Sequence, residues 1–494
     1  MSSLTALARA LAVRHEAAQP ITTVRHTHVA QRPLVFIPLT LAGEANAPLA
    51  ALAGDDPDRP RLLIVPQPRN RDQRFQFAAE LGRLVVSYVD GFARHQEDVK
   101  GRRRFTDAPQ LLVPNPGGVE FVRLFGRSTR LRRTYGEYAV KPVVPLLGKW
   151  LTFFAERAEH PGSALMLAMT STLTQHWATG QSAVEDANLA AVLAWLDPQD
   201  DRSPFEAALD AEDPDIWPPA GPATDPAFDA GSLAPAIERY AKTDADSVAR
   251  RAARERLESV LRGQLEPTWR LMWRAVSLLR TLPPGASVLE RWADDRDAYT
   301  NFATYVQEPG SLPQARRDSA VAAAKRLNRL ERAQAQYDAQ RALDDPLVMA
   351  EFRLAGEAFA GEVVAAEADR LDATGPRRKL RPHVTVRTSD PLRLTVGAEL
   401  RSPARRTQTA RILTVSEVDG GLDVRLELTG GMGRALTPAP GSVPEFGERV
   451  TYSTVSAGFQ PGGNFPAVED TPWTHGGPPP PPEPTEEDAV EAWS

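Results

Sequence analysis

Between Asp197 and Asp229 the chain carries seven prolines and ten acids, with Arg202 as its one base, a local charge of −9. Proline removes backbone donors and like charges repel, so the stretch interrupts the folded sequence on either side of it. It divides the sequence as a linker or as a crossing draped over a folded surface. A second segment of the same kind lies further on. Residues 465–494 hold seven acids and no base, with an unbroken proline run from Pro478 to Pro482.

Around these breaks the 494 residues read as a multidomain α+β protein. The expected divisions are an α/β unit over 1–135, a helical core packed on it over 136–196, an acidic linker over 197–234, and a helical domain or stalk over 235–375. A small β-barrel over 376–458 and a disordered tail over 459–494 complete it. No apolar run approaches the roughly 20 residues that span a bilayer, so a cytoplasmic protein with no membrane partner is expected. The chain has no cysteine, which excludes disulfides, thiol nucleophiles and cysteine-held zinc.

In the first unit, Thr5 to Ala18 is helix-like, while Ile21 to His28, Pro33 to Leu41 and Arg61 to Val65 are β-rich. Phe75, Ala78, Gly82, Val85, Val89 and Phe92 line one face of a helix over 72–92. Leu111 to Val113 and Val119 to Leu124 add strands about the turn Pro114-Asn115-Pro116-Gly117-Gly118. His95, Glu97 and Asp98 read as a charged helix end. His26 and His28 share one side of a strand, as surface residues or as two ligands of a metal lacking a third.

The order helix, three strands, helix, strand resembles the core of the PD-(D/E)xK nuclease-like superfamily, over about a quarter of the chain. The resemblance places the acid of the second core strand in Gly43-Glu44-Ala45-Asn46, the close of the third at Gln67-Pro68-Arg69, and Glu16 on the first helix. It implies Glu16 and Glu44 as candidate catalytic acids. Gln67 supplies no negative ligand and Arg69 stays protonated, so the motif is not intact.

Further along, Trp150 to Phe154, Ala164 to Met169 and Leu189 to Leu196 read as buried helices, with His176 a core histidine. Leu257, Val260, Leu261 and Leu265 form one helical stripe, Pro267 interrupts, and Trp269, Met272, Trp273 and Val276 form another. Gln314 to Leu343, followed by Phe352, Ala355, Phe359, Val363 and Ala366, suggests a long helical hairpin.

Beyond Gly375-Pro376, alternating segments with the Asp419-Gly420-Gly421 turn give four or five strands of an OB-like or SH3-like barrel. Stalk followed by barrel is similar to an accessory region of superfamily 1 helicases. Ten bases against two acids over 376–411 give +8, and Arg123, Arg127, Arg130, Arg132 and Arg133 give +5 without an acid. The candidate nucleic-acid contacts are therefore Arg377, Arg378, Lys379, Arg381, Arg401, Arg405 and Arg406, with Arg127, Arg130, Arg132 and Arg133. Few aromatics accompany them, which points to phosphate contact and away from base stacking. Pairing with acids elsewhere in the fold is the competing reading.

Trp473 and Trp493 are apolar hooks for a protein partner. No Walker A, Gly-x-Ser-x-Gly or His-Glu-x-x-His sequence occurs, and no cofactor or metal is expected. Taken together, the expected function is a non-catalytic accessory or adaptor protein that binds DNA or RNA and partners a helicase or ATPase. A divergent metal-dependent nuclease and a purely structural scaffold are the alternatives.

Overall fold

The computed structural model describes residues 2–44, 47–99, 101–198, 202–315, 318–375, 377–458, 462–467 and 470. Trp473 and Trp493 lie outside them. The architecture is mixed α and β, and among the described residues no helix is long and apolar enough to cross a membrane.

Helix α1 (Ser3–His15), capped by Ser2, precedes an antiparallel meander of β1 (Leu34–Thr40), β2 (Pro48–Gly54) and β3 (Arg61–Ile64). After α2 (Arg71–Phe92), β4 (Leu111–Val113) returns parallel to β1 on the far side from β2. Helices α3 (Pro116–Thr129) and α4 (Val143–Ala158) follow, and β5 (Met166–Ala168) then adds a parallel edge, giving the order β3-β2-β1-β4-β5.

Every residue of β1 and β2 is buried, as expected of strands covered on both faces. On one face Leu34, Phe36 and Ala53 meet α2, α3 and α4 through Phe77, Phe121 and Leu147. On the other, Val35, Ile37, Leu39 and Leu52 meet α5 (Leu189–Leu196) and the 34-residue α7 (Val248–Thr281). Between those two helices, α6 (Pro204–Glu212) opens with a capping box of Ser203 and Glu206 and buries Ala208 and Ala211. Leu257, Leu261, Leu265, Met272, Val276 and Leu279 form the buried stripe of α7, each worth about 1.5–3 kcal/mol when fully buried.

Several expectations are corrected here. Ile21 to His28 holds no strand; the second core strand is instead the alanine-rich β2. Val119 to Leu124 is helical, because Asn115 caps α3 and Pro116 fits its first turn. Ala164 to Met169 contains the edge strand β5, and is not a helix. Glu97 and Asp98 stand in a small hairpin, opposite Arg104 and Arg103. His26 is 1% exposed and His28 stacks on Trp292 with centroids 3.9 Å apart, so neither is a surface residue.

The acidic proline-rich stretch is draped over the fold. Beyond α6 it crosses the ends of the parallel strands, where the Thr40 N–H donates to the Pro222 carbonyl at 2.8 Å and Asn115 Nδ2 to the Gly221 carbonyl at 2.9 Å. Gly221 adopts φ +78°, a conformation glycine reaches without cost.

No long helical hairpin or stalk exists among the described residues of 235–375. There α7 lies flat on the sheet, α8 (Val288–Gln307) packs Trp292 and Tyr299 into the first core, and α9 (Ala320–Asp344) leads directly into the short α10 (Pro346–Ala355). Residues 358–367, expected to be helical, form β6 (Ala358–Glu367), the first strand of the C-terminal barrel. It joins β7 (His383–Thr388), β8 (Glu399–Arg401), β9 (Thr409–Val418), β10 (Gly421–Gly430) and β11 (Arg449–Ser453) in a closed ring ordered β6-β7-β10-β9-β8-β11. Phe359, Val363, Val386, Ile412, Val424, Leu426 and Tyr452 fill its interior.

Candidate nucleic-acid interface

All six pairings around the barrel are antiparallel, so strand direction alternates around the ring. It follows that the β6–β7, β8–β9 and β10–β11 connections emerge at one rim, and β7–β8 and β9–β10 at the other. The candidate bases of the module gather on that first rim: Arg377, Arg378, Lys379 and Arg381 in one connection, Arg405 and Arg406 in the next, and Arg401 where β8 ends.

Their availability differs. Arg377, Arg378 and Lys379 are exposed and make no ion pair among the described residues. Arg381 donates to the carbonyls of Leu380 and Thr429 at 3.1 Å each, which ties it to the rim. Arg405 meets Glu448 at 2.8 Å, and its guanidinium holds the Glu448 carboxyl below its ordinary value. Arg406 bonds Asp344 at the end of α9 and the Ser287 hydroxyl. Arg405 and Arg406 therefore hold the structure together before they could hold a ligand.

Pairing continues around the outer wall. Arg387 and Asp423 form a two-pronged bridge at 2.8 and 2.9 Å, Arg411 reaches Glu427 at 2.8 Å, and Arg425 reaches Glu367 at 3.1 Å. Within the barrel's actual bounds, 358–455, fourteen bases face twelve acids, a net of +2. The excess of +8 belonged to a segment that left out ten acids of the module and only four of its bases, among those acids Glu362 and Glu367 of β6 and Asp423 and Glu427 of β10.

The arginines of the 123–133 run are dispersed. Arg123 bridges Glu120 and Glu159 at 3.0 and 2.8 Å. Arg130 is 6% exposed and donates to the carbonyls of Gln314 and Ala315 at 2.7 and 3.1 Å, so it is a clamp between distant segments and is corrected as a nucleic-acid contact. Arg132 donates to the Ser128 carbonyl and lies 5.3 Å from the Phe75 ring centre, and Arg133 lies 5.7 Å from that of Tyr135. Of the four candidates here, Arg127 alone is exposed, in the last turn of α3.

Glu44 is held by Arg74 at 2.8 Å, with Arg69 3.6 Å away. Glu16 is an exposed, left-handed cap of α1, and no hydrogen bond or ion pair joins it to Glu44. Among the described residues no group of three or more histidines, aspartates or glutamates gathers to hold a metal ion. The donor set near Glu44 is dominated by guanidinium and does not fit Mg²⁺. No family model, characterised protein or solved structure matches this chain.

Proposed function

We propose that this chain is a non-catalytic accessory protein that holds nucleic acid by its phosphate backbone at the base-bearing rim of the barrel. The supporting observation is topological: alternating strand direction brings the two connections that bear the candidate bases to one rim, with Arg377, Arg378 and Lys379 exposed there. Exposed guanidinium and ammonium groups without a rigid aromatic platform suit contact that tolerates any sequence. The modest net charge of the module suits weak binding.

Binding of labelled DNA and RNA, followed by fluorescence anisotropy over a salt series, is the test. Changing Arg377, Arg378 and Lys379 together to alanine is expected to weaken binding about tenfold or more, evenly across sequences, and to flatten the salt dependence by about two to three counterions. Binding that is absent, or indifferent to salt and to this triple change, overturns the proposal. Arg405 and Arg406 make poor probes because their loss also removes Glu448 and Asp344 as paired groups.

A partner such as a helicase or ATPase belongs to the same proposal. Co-purification before and after nuclease treatment separates a nucleic-acid tether from direct contact. Capture that survives nuclease, in a protein without nucleic-acid affinity, is the signature of a scaffold.

A further inference from the structure

A cleft of about 610 Å³ opens where α9 passes the edge strand β5, and its walls include His26, Ser171, Gln175, Tyr337 and Arg341. That volume lies within the range of sites for one small organic molecule.

Two guanidiniums approach the Tyr337 ring, Arg291 at 5.0 Å and Arg341 at 5.7 Å from its centre. Neither makes an ion pair among the described residues. Arg291 spends its donors on neutral acceptors, the Gln340 Oε1 at 2.8 Å and the His26 carbonyl at 2.6 Å. Arg341 makes no hydrogen bond at all among the described residues, although its Nε is shut off from solvent.

His26 beside it is 1% exposed, and neither of its ring nitrogens has a hydrogen-bond partner. The nearest acid, Asp345, stands 3.4 Å from Nε2 but already accepts from the backbone N–H groups of Thr23, Val24 and Leu347. Across the cleft, Glu120 and Glu159 are both taken by Arg123. The Arg341 guanidinium is thus left without an ion pair among the described residues on one wall of the cleft, where partial burial makes an unpaired charge costly.

We infer that this cleft binds a small organic anion whose phosphate or carboxylate sits on the Arg341 guanidinium beside His26. Arginine presents a planar fork that matches either group with two parallel hydrogen bonds. Gln175 accepts from the Tyr337 hydroxyl at 3.3 Å, which steadies the ring behind that fork. The site is separate from the barrel rim and stands or falls independently of it.

Isothermal titration of the full chain with inorganic phosphate, citrate, AMP and the uncharged adenosine tests the inference. Saturable binding of at least one of the three anions, and none of adenosine, is expected. AMP or phosphate binding without citrate identifies a phosphate site, and the reverse a carboxylate site. Arg341→Ala is expected to weaken binding about tenfold or more, and Arg341→Lys to restore part of it. The Arg377, Arg378, Lys379 triple variant should bind these anions unchanged. Failure of all three anions to bind saturably, or binding indifferent to Arg341→Ala in a protein with an unaltered melting transition, overturns the inference. If Arg341→Ala does not fold, Arg341→Gln carries the same comparison.

Discussion

Replacing Asp345 by alanine is expected to cost about 3–5 kcal/mol of stability, measured as a lower urea midpoint with an unchanged slope. Its carboxylate is 1% exposed and caps α10 through the Leu347 N–H at 2.9 Å. It also accepts from the N–H groups of Thr23 at 2.7 Å and Val24 at 3.3 Å, some 320 positions earlier in the chain. The cap alone is worth about 1 kcal/mol, and each backbone donor left unmet in the interior adds about 1–3.

The same residue predicts a pH dependence. Burial pushes this carboxyl up, but His26 and the backbone donors of Thr23, Leu347 and Val24 outweigh it and hold the group at about 2, against an ordinary 3.8. A depressed acid stabilises the fold fully above its unfolded value, and that contribution is lost as pH falls through the folded one. The stability gap between the native chain and Asp345→Ala should therefore be constant above about pH 4 and narrow toward pH 2.

Gly148→Ala is expected to be as damaging, for a steric reason. Helices α3 and α4 cross where Gly148 lies against the backbone of Thr129 and Arg130, and a methyl group there would collide with the Arg130 N and Cα atoms. Backbone cannot rotate aside as a side chain can, so about 3 kcal/mol or more is expected, read from thermal unfolding. The shift would also drag Arg130 from the Gln314 and Ala315 carbonyls. Gly91→Ala is the control: nothing lies within 4 Å of its added carbon, and removing a helical glycine from α2 should stabilise by about 0.5–1 kcal/mol.

Neither site was visible in the sequence, whereas other features were plain. The α5 boundaries, Leu189–Leu196, follow from the apolar run and the proline just beyond it, both local signals. The β9–β10 turn was equally plain, since Gly420 takes φ +81° and Val418 faces Gly421 across the hairpin. In β2 the run Pro48–Gly54 is dominated by small residues with little strand preference, and it is a strand because its neighbours pair with it. In β6 a bulge between Val363 and Ala365 breaks the alternation, and Phe359, Val363 and Ala366 fall at helical spacing by accident.

The candidate interface was legible in its bases and illegible in their partners. Arg406 meets an acid 62 positions away and Arg130 a carbonyl 184 away, distances over which no local pattern speaks. The acids of β6 carried the one usable signal, Glu362 and Glu367 flanking an apolar run, but a helical reading of the segment sent them elsewhere.

Closure of the barrel also dictates the order of its birth. Phe359 of β6 lies beside Tyr452 of β11, 93 positions later, so the ring cannot shut until almost the whole module has been synthesised. At about 5–20 residues per second, β6 waits roughly 5–20 s for that neighbour. During this interval its backbone and Phe359 are open to strands from other nascent chains, and a stop codon before Arg449 would make the exposure permanent.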